Sequence, residues 1–171
     1  MLTDAPVIER EGVGSLDDLR ELWLALHHHH AAAAPGLAPY VDDDQSWAVR
    51  RDSYVSWLRL PESFLLVARI DRSAVGYAMV RVDRAGAEWT DTWVVGDRVA
   101  ELETLVVAPE HRGRGIGGAL LDRMESELHA RGVGDVVIGV VPGNFSAQRL
   151  YERRGYAPTW TVLSRFGRRA G

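Results

Sequence analysis

Apolar residues recur along the chain with two rhythms, and the rhythm changes mark the elements. Residues 6–10 (P-V-I-E-R) read as a short edge strand. Leu16, Leu19, Trp23 and Leu26 then fall at helical spacing, and Ser15 with Asp18 three residues on has the form of an N-cap with an acid in the first turn. This predicts a helix running to about His30. Pro35-Gly36 and Pro39 break the chain, and the acidic stretch Asp42 to Asp44 leads into a second helix with Trp47, Tyr54, Val55 and Leu58 as its apolar positions and Pro61 as its stop. The segments 64–70 and 74–82, joined by a turn at 71–73, predict a hairpin, and 83–98 reads as a loop carrying Trp89 and Trp93.

From Val99 to Val107 the period becomes two, which places Glu101, Glu103, Leu105 and Val107 on one face of a strand ending at Pro109. A glycine-rich turn follows. Ile116, Leu120, Met124 and Leu128 then form the buried stripe of a third long helix, closed by Gly132. The run D-V-V-I-G-V-V (135–141) has no polar alternation, as expected of a strand covered on both faces. A fourth helix starts at Asn144 and passes through Tyr151, and 159–166 reads as a last strand. Two strands joined by a helix make a βαβ unit, so the fold class is mixed α/β. At 171 residues one domain spanning 1–171 is expected.

Composition narrows the chemistry. The chain has no Cys, and all 20 basic residues are Arg. Thiol nucleophiles, Cys-ligated metals, Schiff bases and lysine-based phosphate loops are thereby excluded. A net charge of −4 argues against binding a phosphate polymer, so no nucleic-acid partner is expected. Residues 1–98 hold ten Arg against sixteen acids and 99–171 ten Arg against eight, which puts any anion site in the second half. No apolar run reaches the roughly 18 residues of a membrane span and no signal-peptide pattern opens the chain; the expectation is a cytoplasmic protein without a membrane partner. Of the four histidines at 27–30 only His27 and His30 share a helix side, which makes a poor metal site, and no metal is expected.

The strongest chemical signal is V-V-A-P-E-H-R-G-R-G-I-G-G (106–118). Gly113, Gly115, Gly117 and Gly118 fall within six residues between a strand and a helix, where bare backbone and a helix N-terminus favour a phosphate, with Arg112 and Arg114 adding forked donors. The same residues satisfy G-x-G-x-x-G, but the next strand ends V-I-G-V-V-P-G without the ribose-binding acid of a dinucleotide site. R-G-R-G-I-G resembles the Q/R-x-x-G-x-G/A acyl-CoA loop of the GNAT superfamily of N-acetyltransferases, and N-F-S-A-Q-R-L-Y-E-R-R-G-Y (144–156) resembles that family's later helix motif.

The resemblance implies a splayed central sheet of about six to seven strands flanked by four helices, with acetyl-CoA as cosubstrate. Arg112, Gly113, Arg114, Gly115, Ile116, Gly117 and Gly118 would hold the CoA pyrophosphate, and the backbone of Leu105, Val106 and Val107 would pair with the pantetheine arm. Asn144, the only Asn, is equally well read as a helix cap or a ligand contact. Tyr151 would assist thiolate departure, and Glu101 or Glu103 would deprotonate the acceptor, a small-molecule or peptide amine. The first two helices would wall the acceptor pocket, so Trp23, His27 to His30, Tyr40 and Asp42 to Asp44 become its expected lining, suited to a cationic amine. About fifteen residues follow Tyr156, where the family has two strands; the last strand pairs with 136–141 or a partner subunit completes the site, which raises a homodimer. The competing class is an acyl-CoA-binding sensor or assembly subunit without turnover.

Overall fold

A computed structural model describes residues 5–37 and 39–167. Five strands form one sheet in the order β1 (Val7–Glu11), β2 (Phe64–Ile70), β3 (Ser73–Arg84), β4 (Arg98–Val107), β5 (Asp135–Ile138). The first four pair antiparallel and β5 lies parallel to β4, the crossover being the helix between them. The β2–β3 hairpin turns through Asp71 and Arg72, both at positive φ (47° and 69°), as a two-residue turn of this hand requires.

Helices α1 (Arg20–Ala33) and α2 (Asp43–Trp57) cover one face of the sheet; α4 (Ile116–Ala130) and α5 (Phe145–Glu152) cover the other. On the α1/α2 side Leu16, Leu19, Trp23 and Tyr54 pack on Leu65, Val67, Tyr77 and Met79. On the α4 side Ile116, Leu120, Met124 and Leu128 pack on Leu66, Ala78, Val80 and Leu102, so the predicted stripe is the one buried. The loop expected at 83–98 contains one short helix, α3 (Ala87–Thr90).

Several expectations are corrected. Ser15 does not cap a helix: Val13–Leu19 forms a 3-10 stretch and α1 begins only at Arg20. The strand expected over 135–141 ends at Ile138, and all four of its residues are half-buried rather than covered on both faces. Residues 159–166 form no strand. A strand needs a neighbouring edge, and these residues pair with none among the described residues, leaving Trp160, Val162, Leu163 and Phe166 exposed. The described sheet therefore has five strands, fewer than the six to seven expected.

β4 departs from the predicted alternation. Its ladder with β3 pairs Thr104 with Met79 and Leu102 with Val80, which leaves Glu103 without an opposite residue. This bulge resets the alternation. Ala100 and Leu102 join the α4-side core, but beyond the bulge Leu105 and Val107 take that side while Thr104, Val106 and Ala108 face α1 and α2. Glu101, Glu103, Leu105 and Val107 are thus not one face: the two carboxylates stay on the α2 side, and Leu105 and Val107 do not.

Candidate active site

β5 pairs with β4 only from Val99 to Leu102, opposite Asp135 to Ile138. Beyond Leu102 the two strands part, and among the described residues no strand pairs with the outer edge of residues 103–107. The parting opens a narrow cleft of about 60 Å3 whose lining includes Glu103, Leu105, Val140, Asn144 and Tyr151, with His30 from α1. Gly143 helps hold its far wall: at φ 91° it packs on the end of α1 so closely that a Cβ there would collide with the Ala33 carbonyl oxygen.

At the mouth of the cleft β4 gives way to the glycine loop. Gly113 and Gly115 have φ of 74° and 81°, the left-handed region that side chains resist, and Gly115 is the N-cap of α4. Gly117 and Gly118 have no such φ; a Cβ at Gly117 would make ordinary contact with Leu150 and Val107. The first bond closing the helix is from Ala119 N–H to the Gly115 carbonyl. The N–H groups of Gly113 to Gly118 have no acceptor among the described residues, and no acid stands in the first turn of α4. Six unsatisfied donors and the positive end of a 15-residue helix fit an anion. Arg114 is exposed and free to reach it, whereas Arg112 bends back so that its Nε donates to the Val107 carbonyl at 3.1 Å.

Asn144 caps α5: its Oδ1 accepts from the Ala147 N–H at 3.3 Å and from the Ser146 hydroxyl at 3.1 Å. About two turns along the helix, Tyr151 is buried, with its ring edge-to-face against Tyr156. Burial, reinforced by Tyr156, pushes its phenol up to about 12. No protein group hydrogen-bonds its hydroxyl among the described residues, so that hydroxyl is available to a ligand in the cleft.

A larger cavity of about 540 Å3 lies on the α2 side and is lined by Trp23, Gln45, Val49, Arg50, Trp57 and Glu103, among others. Glu103 borders both spaces. Its side chain is 13% exposed against 39% for Glu101. Burial pushes the Glu103 carboxyl above the ordinary carboxylate range, and the nearby Glu101 charge adds to this against the opposing pull of Arg81. Arg81, across the ladder from Glu101, holds both: Nε donates to Glu103 at 2.7 Å and Nη2 to Glu101. Under the bulge Tyr54, Tyr77 and Thr104 share buried hydroxyl bonds of 2.9 and 2.6 Å, which pins Thr104 to the α2 side and with it the reset of β4.

The other expected lining residues are mostly occupied elsewhere. Asp42 caps α2 by accepting from Gln45 N–H at 2.9 Å, Asp43 pairs with His28 and Asp44 with Arg20. His27 is buried with its Nε2 3.0 Å from the Val41 carbonyl, and the Tyr40 hydroxyl donates to backbone carbonyls of α1. Among the expected acceptor contacts only Trp23 lines the large cavity, and the acidic wall suited to a cation is absent from it. Sequence reasoning missed Arg50 and Arg81. Arg81 is set beside Glu101 by the β3–β4 register, across a long loop and a bulge, and Arg50 depends on how α2 packs; no local pattern encodes either. Among the described residues no group of three or more His, Asp or Glu side chains is placed to hold a metal ion, and no helix is long and apolar enough to cross a membrane.

The fold is shared with solved structures of acetyltransferases. A GCN5-related N-acetyltransferase from Ralstonia eutropha superposes with a TM-score of 0.75 at 20% identity, over 94% of this chain and 98% of that one. A predicted acetyltransferase of Clostridium acetobutylicum, solved with acetyl-CoA, matches at 0.67 and 16% identity over 93% and 96%. The model of the Acetyltransferase (GNAT) family matches residues 18–156, and the chain belongs to that family. Among curated relatives, the mycothiol acetyltransferase of Thermobispora bispora is 32% identical over 83% of this chain, which spans only 44% of that protein's length. An uncharacterized N-acetyltransferase of Mycobacterium tuberculosis is 31% identical over 80% of this chain and 78% of its own length.

Proposed function

We propose that this protein, as one domain over residues 1–171, is an acetyl-CoA-dependent N-acetyltransferase that acts on a primary amine by direct transfer in a ternary complex. The observation that carries this reading is the position of Glu103, which lines both the large cavity and the cleft that holds Tyr151. A base with one side toward each space can take a proton from an amine in the first as it meets an acyl group in the second. The names of the N-acetyltransferase relatives and the acetyl-CoA held by the Clostridium neighbour support the same reaction.

In this reading Arg112 and Arg114 with the backbone of Gly113, Gly115, Ile116, Gly117 and Gly118 hold the pyrophosphate, and the unpaired edge at Leu105, Val106 and Val107 receives the pantetheine arm as an added strand. Arg112 must release the Val107 carbonyl if that group is to pair with the arm. Asn144 keeps its cap and offers its remaining amide hydrogens to the cleft. An ammonium near pKa 10.4 must lose a proton, at a cost of about 4.6 kcal/mol at pH 7. Glu103, raised by burial, accepts it directly or through water; Glu101, better solvated and sharing Arg81, tunes that charge. The freed amine attacks the thioester carbonyl, backbone N–H groups beside the splay bond the oxygen as it gains charge, and as the C–S bond breaks the nitrogen releases its remaining extra proton to water. The Tyr151 hydroxyl donates to the departing sulfur.

Purified protein supplied with acetyl-CoA and a broad amine panel should release thiol only when an amine is present, with the acetylated amine found by mass spectrometry and no acetyl-protein trapped. The grip of Arg81 on both carboxylates favours one alternative, an acyl-CoA binder without turnover. Acetyl-CoA binding with no product from any amine would establish it. A second copy of the chain is the partner we propose for the outer edge of β5 and the exposed Val162, Leu163 and Phe166. Sedimentation equilibrium should then give a dimer.

A further inference from the structure

Two charged side chains line the 540 Å3 cavity, Glu103 and Arg50. Glu103 shares the single guanidinium of Arg81 with Glu101 and feels the Arg50 charge only at longer range, and no carboxylate lies within ion-pairing distance of the Arg50 guanidinium among the described residues. Arg50 is half-buried and held by aromatic rings: its guanidinium carbon lies 4.3 Å from the Trp23 ring centre, 5.7 Å from that of Trp57 and 5.9 Å from that of Tyr54. Trp23 is itself fixed, its indole N–H donating to Ser46 at 2.9 Å. Aromatic stacking holds a guanidinium in place without consuming its N–H donors, which remain in a fork matched to an oxyanion. The acids that would answer this charge, Asp42, Asp43 and Asp44, are committed to a helix cap, His28 and Arg20.

We propose that Arg50 is an anchor for an oxyanion on the acceptor, so that the amine acetylated here also carries a carboxylate or a phosphate. The proposal rests on the acetyl-transfer reading for the word acceptor and not for the anion site itself. With the ammonium directed to Glu103 and the anion to Arg50, the cavity complements a zwitterion. A polyamine would set a second positive charge beside Arg50, the reverse of what an acidic wall would have favoured. The volume suits a molecule of up to about dipeptide size.

The test uses matched pairs on the full chain loaded with CoA: 4-aminobutyrate and glycylglycine, each against its methyl ester, and O-phosphoethanolamine against ethanolamine. Calorimetric binding is measured for wild type, Arg50→Gln and Arg50→Lys, and thiol release from acetyl-CoA is followed in parallel. At least one anionic member should bind about tenfold or more tightly than its uncharged mate, with most of that advantage lost in Arg50→Gln, part kept in Arg50→Lys, and acetyl-CoA affinity unchanged in both. The carboxylate and phosphate pairs separate the two anions. Equal binding within every pair on the wild type, including no measurable binding, overturns the proposal without depending on how the variants fold. Acetylation of amines with no preference for the anionic member removes the anchor and leaves the transferase; anion binding through Arg50 with no acetylation of any amine removes the transferase and leaves the anchor.

Discussion

Replacing Tyr151 by Phe tests the leaving-group step most directly, because the structure sets how much the hydroxyl can do. Its pKa is raised to about 12 by burial, while an ordinary thiol lies near 8.5. Complete proton transfer from Tyr151 to the departing thiolate would be uphill by about 5 kcal/mol, the gap of about 3.5 multiplied by 1.36 kcal/mol. The hydroxyl therefore acts as a hydrogen-bond donor to developing charge, with the proton supplied later by water. Donation to a charged acceptor is worth about 1.5–3 kcal/mol, so Tyr151→Phe should lower kcat about 10- to 150-fold. The KM for acetyl-CoA should stay within about threefold, since the bond strengthens only as charge appears on sulfur. Steady-state kinetics with thiol detection over pH 6 to 10 reads both effects. A phenol near 12 stays protonated through that range, so wild type and variant should share the same basic limb. An unchanged kcat, or a basic limb below pH 9 that vanishes in the variant, would refute the reasoning.

Glu103→Gln should lower kcat/KM about 100- to 1,000-fold and erase the acidic limb, which in wild type lies above the ordinary carboxylate range because Glu103 must ionise and burial resists it; Glu101→Gln should cost less than about tenfold and keep the limb. The sign also holds for folding: a carboxyl raised in the folded state is favoured protonated, so its contribution to stability declines as pH rises through that raised value, and urea titrations should show a flatter pH dependence for Glu103→Gln. Gly115→Ala forces a side chain into left-handed backbone at the cap of α4, costing about 1–2 kcal/mol of strain and crowding the anion site; calorimetry should show CoA affinity reduced about tenfold or more. Gly143→Ala adds a collision with the Ala33 carbonyl to a positive φ, and thermal unfolding should move down by several degrees, corresponding to about 1–3 kcal/mol.

What was legible in the sequence is what local physics dictates. The helical stripe from Ile116 to Leu128 announces itself by its period, and the glycine loop by residues that only a left-handed backbone or a close ligand demands. Asn144 before a helix start offered a cap as one of two equal readings, and the structure shows its Oδ1 accepting from the Ala147 N–H. Tertiary structure alone decided the remainder. A bulge is invisible to a period-two count, because it arises where Thr104 is drawn to Tyr54 on α2 and Tyr77 on the neighbouring strand; one extra residue then sends Leu105 and Val107 to the opposite side from Glu103. The acidic run 42–44 looked like a pocket wall until the packing of α1 supplied Arg20 and His28 as partners. The segment 159–166 is rich in strand-forming residues such as Trp160, Val162 and Phe166, yet pairing is a property of the edge it meets and not of the segment. Arg50 illustrates the same limit: a helical arginine reads as solvent-facing, and it became a charge in a cavity without an ion-pair partner among the described residues only because α2 lays it across Trp23 and Trp57.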